Sequence, residues 1–458
     1  MGHINPAPLI AGLDIGSSVI ATLIAALEPD GRLTFVAGSE THTRGLRGGV
    51  ITNAEAAISS LDAALDHLED VSGQRIAAAY LSIGGAHLHS RNTIGWAEIG
   101  ADAQTKPDTH DGRFSADQAP GEVTHADIAQ AVAVARAHIS ADERREILHI
   151  IPRAYAVDDI AGVRNPLGLV GYELGVETHI VTAATTVCQN LLRCARAAGV
   201  EPIDVIAAPL AASEGILGAL DRAGIAATTR RETLTAAIVD IGAETTGLAI
   251  YADGAIWRTL SLSVGGAMIT QQIATELRLT DDIAEALKRR FGASVGWQAH
   301  EDELIDLRPF TQRDELLARR LLAELIEARV RELAATLYTP LREARQAGVR
   351  PQWLALAGGG ASLGGLAEFL ADDLRLPVYV ASPATIEGLP DDLAHPGFAT
   401  VAGVVTWGAR QLRNTASVTN ASAVRRGRRR RKGPLAGITR ALWAIPHAGG
   451  FWRRAEVR

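Results

Sequence analysis

Two short segments put a carboxylate, a glycine and small hydroxyl residues in the same order. The first is Leu13-Asp14-Ile15-Gly16-Ser17-Ser18, the second Val239-Asp240-Ile241-Gly242-Ala243-Glu244-Thr245-Thr246. A glycine after such an aspartate lets the turn approach a phosphate closely, because no Cβ intervenes. The hydroxyls of Ser17, Ser18, Thr245 and Thr246, with successive backbone N–H groups, are donors suited to phosphate oxygens. A carboxylate repels bare phosphate, so Asp14 and Asp240 make chemical sense as outer-sphere partners, through water, of Mg²⁺, which keeps several waters when bound. A third element, Ala357-Gly358-Gly359-Gly360-Ala361, follows an apolar run and predicts a glycine turn that touches adenosine through its backbone and leads into a helix from about Leu363. One Asp-x-Gly alone reads as a plain turn. Two in matched surroundings, followed by the glycine run, point to a site for ATP and Mg²⁺.

The elements that must position these residues repeat as well. Asp14 is followed by an apolar run, Val19 to Leu27, and a turn at Pro29 to Gly31; Asp240 is followed by Gly247 to Tyr251 and a turn at Asp253-Gly254. Each copy reads as strand, tight loop, strand, hairpin turn, strand, which predicts an internal duplication. Between the copies lie a β-rich patch (77–99), a polar loop (100–121) and an amphipathic helix beginning near Thr124, with Asp127 at capping-box spacing. Further strands are predicted over 147–157 and 173–182. The stretch 281–338 reads as mainly helical, with Leu316, Leu317, Leu321 and Leu325 as its apolar stripe. Residues 413–432 lack apolar periodicity and predict a disordered linker.

The chain has 458 residues, 47% hydrophobic and 21% charged, the composition of an ordinary α/β protein. Its two cysteines, Cys188 and Cys194, are too sparse for a disulfide framework and read as inert buried residues in a reducing compartment. Neither a signal peptide nor a run of ~18 apolar residues is present. The net charge of −7 conceals an asymmetry: from Arg425 onward eleven Arg or Lys face the single acid Glu456, so a tail of +10 follows a body of −17. Beyond the basic cluster, Leu435, Ile438, Leu442 and Ile445 fall on one helical stripe beside Trp443, bounded by Pro434 and Pro446. These five apolar residues with flanking arginines predict an amphipathic helix lying in an anionic membrane surface. The regular stripe argues against the other use of an Arg-rich arm, nucleic-acid binding.

The order of the three glycine motifs resembles the actin, Hsp70 and sugar-kinase superfamily. Within it, residues 8 to 411 resemble the FtsA family of bacterial cell-division proteins, most strongly over 11–18, 47–52, 81–89, 147–182, 237–270 and 357–365. The segment from Glu146-Ile147-Leu148-His149 through Asn165-Pro166-Leu167-Gly168 resembles a subdomain that FtsA inserts and actin lacks. The resemblance implies an α/β, actin-like, duplicated ribonuclease-H-type fold with two lobes around a nucleotide cleft, the inserted subdomain and the C-terminal amphipathic tail. Its parts would be lobe 1 (8–85, 177–212 and a return at 385–412), the insert (86–176), the lobe 2 core (213–264 and 336–384), a helical subdomain (265–335), the linker (413–433) and the membrane tail (434–458). It also implies that Glu285 and Lys288, in Ala284-Glu285-Ala286-Leu287-Lys288, reach the ribose and adenine; on pattern alone they are an i,i+3 charge pair. Hydrolytic relatives carry a polar residue where this chain has Ala208, so hydrolysis is expected to be slow or absent, with no catalytic residue named. The partners implied are the C-terminal peptide of FtsZ, other copies of the chain, other divisome proteins through the insert, and anionic lipids. The place implied is the cytoplasmic face of the inner membrane at the septum. A phosphotransferase of the sugar-kinase or exopolyphosphatase type, and a pilus-assembly actin homologue, are the alternatives.

Overall fold

The computed structural model describes residues 7–100, 119–139, 144–222, 233–296, 300, 302–311, 314–383 and 385–428. The chain opens with β1 (Leu9–Ile15), β2 (Val19–Leu27) and β3 (Leu33–His42), antiparallel neighbours in sequence order. A two-residue hairpin follows, β4 (Leu46–Arg47) and β5 (Val50–Ile51). Helix α1 (Ala54–Ser72) starts where the Asn53 side chain accepts from the Ala56 N–H, and stops at Gly73 with φ 64°. Both ends follow the usual rule: a polar oxygen at the N-cap, a left-handed glycine at the C-terminus. β6 (Ala78–Ile83) then runs parallel to β1.

Next come the elements of a second unit: β7 (His89–Glu98), β8 (Gly121–Glu122), α2 (His125–Ala137), β9 (Arg145–Val157), β10 (Ile160–Val163), β11 (Val170–Gly171) and β12 (Glu173–Ala184). The chain then continues through α3 (Thr185–Ala197), β13 (Glu201–Ala207) and α4 (Ala208–Arg222). The second copy of the opening motif is β14 (Ala236–Ile241), β15 (Thr246–Ala252) and β16 (Ala255–Leu262). It leads to α5 (Gly266–Leu277), α6 (Asp281–Phe291), the short β17 (Leu304–Asp306), one-turn α7 (Arg308–Thr311), β18 (Leu316–Ala318) and the long α8 (Arg319–Gln346). The last described elements are β19 (Leu354–Ala357), α9 (Leu366–Leu374), β20 (Val378–Val380), β21 (Ile386–Glu387) and α10 (Ala399–Arg428).

Two compact units result. Of the described residues, those up to His89 with those of Thr186–Gly254 and Thr259–Gly408 build one; those of Ser90–Thr185, with Ala255–Arg258 and those from Ala409 to Arg428, build the other. The first unit holds a sheet ordered β13-β6-β1-β2-β3-β21 and a second ordered β16-β15-β14-β19-β20. Read from the hairpin edge, β3-β2-β1-β6-β13 and β16-β15-β14-β19-β20 are the same topology, so the duplication expected from sequence is present in three dimensions. Each Asp-x-Gly sits at the end of the strand from which its sheet's parallel half begins (β1 and β14). In open α/β sheets such strand ends are where ligands bind.

Helix α4 packs against both sheets, on β13 and β6 of one and β14 and β15 of the other. It crosses α10 almost backbone to backbone. A Cβ on Gly403 would lie 1.7 Å from the Ala211 carbonyl oxygen, and one on Gly215 would lie 2.0 Å from that of Ala399. Only glycines allow that approach.

In the second unit, β7, β9, β10 and β12 form a sheet ordered β10-β9-β12-β7. One face carries a core of Ala97, Val157, Leu174 and Val176 with Ile128, Ala131 and Val132 of α2. The capping box expected at Thr124 is formed: the buried Asp127 carboxylate accepts from the Thr124 N–H at 2.8 Å and also from the Gly100 N–H at 3.0 Å. Opposite, Trp96 of β7 lies over Gly175 of β12, where a Cβ would come within 2.8 Å of the ring. His179 is buried beneath this face. Burial, and secondarily the Arg153 charge, push its pKa down to about 3, so it is neutral and pairs through Nδ1 with Asn92 Oδ1 at 2.7 Å.

Three sequence expectations change. Leu316 and Leu317 belong to β18, not to a helix; Leu316 and Leu321 are exposed, and the buried face of α8 is Leu322, Ala323, Ile326, Val330, Leu333 and Leu337. An apolar run that spans a strand-to-helix junction mimics one helical stripe, which is why periodicity misassigned it. The glycine run leads first into a 3₁₀ turn, Gly359–Ser362, and the helix begins at Leu366. Helix α10 continues to Arg428, through part of the predicted linker. Extending a helix already nucleated costs little, even for a segment without its own apolar face. The basic linker residues beyond Arg428 and the tail residues Leu435, Ile438, Leu442, Trp443 and Ile445 lie outside the described residues. Among the described residues no helix is long and apolar enough to cross a membrane.

Candidate functional site

Both loops close in the same way. The Gly16 N–H donates to the Val19 carbonyl at 3.0 Å, and the Gly242 N–H donates to the Thr245 carbonyl at 2.9 Å. These bonds seal the tight turns between β1 and β2 and between β14 and β15. Antiparallel registers (Ile15 opposite Ile20, Ile241 opposite Thr246) then fix Asp14 and Asp240 one residue inside each turn.

Each aspartate keeps a little exposed surface but is otherwise hemmed in by protein. Burial raises the pKa of Asp14 to about 6 against a hydrogen bond from Ser82 Oγ, and the Glu40 charge adds to the rise. Burial, and after it the Asp14 charge, raise Asp240 to about 7 against a 3.2 Å hydrogen bond from Thr400 Oγ1. The Asp14 charge is therefore felt at Asp240. Among the described residues their hydrogen-bond partners are hydroxyls, and no basic side chain pairs with either. Two neighbouring acids without a basic partner among the described residues suit a hydrated Mg²⁺, whose charge would restore both to the ionised form.

The remaining predicted residues divide. Ser17 Oγ accepts the Gly49 N–H at 3.2 Å, and Ser18 is exposed at the turn. Thr245 is partly exposed, but Thr246 is fully buried and its hydroxyl is committed to the Val264 carbonyl at 2.8 Å, so it faces the interior and not a ligand. Gly358, at φ 80°, abuts the Asp240 carboxyl, where a Cβ would lie 2.4 Å from Oδ1. Gly360 abuts the Ile241 side chain, and around Gly359 the space is open. The glycine run is therefore packed onto the second loop, as a shared site requires.

Glu285 and Lys288 also join the second loop. Helix α5 starts by donating the Gly266 and Ala267 N–H groups to the Gly242 and Ala243 carbonyls, at 2.9 and 2.7 Å. Lys288 of α6 reaches back to the Gly266 carbonyl (3.1 Å), Thr270 Oγ1 (2.8 Å) and Glu285 Oε2 (2.5 Å). Its ammonium is largely buried; burial holds its pKa below the usual lysine value, while Glu285 opposes that shift. This pair is thus more than a solvated i,i+3 contact.

Sequence reading assigned no role to three features of the site. Ser82 and Thr400 hold the two aspartates, and nothing in the local pattern marks them. The third, the Gly48-Gly49 hairpin tip, was detectable, because paired glycines between short apolar segments signal a two-residue turn. Both tip glycines have positive φ, 55° and 78°. The Gly48 N–H donates to Glu244 of the second loop while the Gly49 N–H donates to Ser17 of the first. Ala208 is the first residue of α4 and lies beside Gly84.

Twin βββ units with matched loops, a glycine turn on the second loop and a helix between the sheets define an actin-like fold. The family model described as "Cell division protein FtsA" matches residues 237–403, and that described as "SHS2 domain inserted in FTSA" matches residues 103–182. The chain is 32% identical over 414 residues to "Cell division protein FtsA" of Pseudomonas aeruginosa, covering 90% of this chain and 92% of that protein. It is 28% identical over 408 residues to the protein of the same name from Escherichia coli K12, covering 87% and 90%. Among solved structures, the "PilM-PilN type IV pilus biogenesis complex" superposes with a TM-score of 0.61 over 88% of this chain and 99% of that one, at 18% identity, a likeness of fold alone. The chain belongs to the FtsA family of cell division proteins.

Proposed function

We propose that this chain binds Mg²⁺–ATP between its twin loops and, in that state, assembles on the membrane as the adaptor that ties FtsZ to it. The observation carrying the nucleotide part is the pair Asp14 and Asp240, two acids raised in pKa by burial at the ends of matched strands. Asp14, Gly16, Ser17 and Ser18 would hold the phosphates from one side, and Asp240, Gly242 and Thr245 from the other. Gly358–Gly360 with Glu285 and Lys288 would face the nucleoside. Ala208 supports a switch over a catalyst, because α4 begins without a group to orient an attacking water.

The tail supports the membrane part. Each basic residue near an anionic bilayer contributes ~1 kcal/mol, and partial burial of five apolar side chains adds ~5 kcal/mol, opposed by helix ordering. One such tail attaches weakly, and several acting together in a polymer attach firmly. Partner contacts, including the FtsZ C-terminal peptide on the helical region 265–335 and divisome proteins on the inserted unit, rest on the family. The test is co-sedimentation with FtsZ on anionic liposomes, with and without ATP, using the full chain and one ending at Val424. Tail-dependent recruitment of FtsZ is expected; no recruitment in any nucleotide condition refutes the adaptor reading.

A further inference from the structure

The hairpin tip Gly48-Gly49 spends its two N–H groups on two different loops, Gly48 on Glu244 and Gly49 on Ser17. Its seat is tight. A Cβ on Gly49 would lie 2.1 Å from the Gly84 carbonyl oxygen, and one on Gly85 would lie 2.6 Å from that of Gly48. The tip is therefore wedged beside the first loop and reaches the second. A backbone N–H at such a turn is a donor suited to an anion, and at Gly48 the anion is a carboxylate of the protein's own. Arg47, immediately before the tip, brings its guanidinium to 4.0 Å from the same carboxylate and is otherwise well exposed.

Glu244 itself is out of place. It stands inside a turn whose other features suit phosphate, where a negative side chain opposes the ligand. Its carboxylate is partly sheltered and engaged by a backbone donor from the opposite half of the duplicated fold.

We infer that Arg47, Gly48 and Gly49 form a third wall of the phosphate site, and that Glu244 is a resident anion occupying it until the terminal phosphate of a nucleoside triphosphate takes its place. This inference rests on the nucleotide reading and deepens it, by assigning discrimination between tri- and diphosphate to a displaceable side chain. A terminal phosphate entering between the loops meets Glu244 as a like charge and finds Arg47 and the Gly48 N–H as donors that Glu244 must release. A diphosphate, ending one group short, leaves Glu244 where it is. No bond is made or broken; one anion replaces another.

The experiment measures binding of ATP and ADP, each with Mg²⁺, by titration calorimetry on the full chain, on Glu244→Gln and on Arg47→Ala. Glu244→Gln removes the competing charge while retaining an acceptor for the Gly48 N–H, so the fold keeps its contact. Like-charge repulsion at ~6 Å in a partly solvated site corresponds to about tenfold in affinity. Glu244→Gln is therefore expected to tighten ATP about tenfold and ADP less than twofold, and Arg47→Ala to weaken ATP more than ADP. Equal change, or none, for both nucleotides in Glu244→Gln overturns the inference while leaving the nucleotide reading intact. Failure of the unaltered chain to bind either nucleotide overturns both.

Discussion

Asp240→Asn is the sharpest probe of the carboxyl pair. Asp240 has a folded pKa of about 7 against an ordinary 3.8, so the folded, nucleotide-free protein prefers the neutral acid. The associated stability is complete below pH ~4 and disappears as pH rises to about 7. At ~1.4 kcal/mol per pH unit the loss is capped at ~4 kcal/mol, and residual contact with water reduces it to ~2 kcal/mol. Asn is a neutral isostere that still accepts from Thr400. Without nucleotide, Asp240→Asn should therefore melt about 3 °C above the unaltered protein at pH 8 and within about 1 °C of it at pH 5. The assay is differential scanning fluorimetry across that range, with a second series in saturating Mg²⁺–ATP, where the unaltered protein should regain stability and Asp240→Asn should gain little. If Asp240→Asn melts lower than the unaltered protein at pH 8, the carboxyl is stabilising as an anion and the reasoning about a cation-hungry pair fails.

Other outcomes follow from single contacts. Gly403→Ala places a methyl 1.7 Å from the Ala211 carbonyl oxygen at the α4–α10 crossing, and should cost ~3 kcal/mol in urea denaturation; a loss under 1 kcal/mol would mean the helices separate freely. Lys288→Met should weaken nucleotide binding about tenfold, whereas lowered thermal stability at unchanged affinity would make the Lys288–Glu285 pair purely structural. Ala208→Gln at the start of α4 should raise steady-state ATP turnover at least about tenfold; unchanged turnover would place the attacking water elsewhere.

What was legible in the sequence was whatever local pattern encodes. The paired Asp-x-Gly loops, their hairpins and the capping box at Thr124 are each specified within ten or so residues, by turn chemistry and period-two alternation. The assignments that changed depend on context. Leu316 and Leu317 look helical because the helix behind them is, and only pairing with Leu304–Asp306 makes them a strand. Thr246 matches Thr245 in chemistry, but the strand's alternation turns one inward to Val264 and leaves the other at the turn. Ser82 and Thr400 lie 68 and 160 positions from the aspartates they hold, a separation that no window along the chain can bridge.

Two demands meet in this site. The raised pKa values of Asp14 and Asp240 express first their burial and then neighbouring negative charge, a cost that protons relieve at low pH and a divalent cation would relieve at neutral pH. Beside them, the hairpin tip expresses the opposite demand, for an anion, supplied internally by Glu244. A metal–phosphate unit would answer both together. A bare phosphate would worsen the carboxyl repulsion, and a bare cation would leave Glu244 on the tip. Binding should therefore be strongly coupled: Mg²⁺ should tighten ATP far more than it tightens AMP, which lacks the phosphates that reach the tip. Equal Mg²⁺ dependence for ATP and AMP in the same calorimetric titration would separate the two demands and dissolve the argument that one ligand satisfies them.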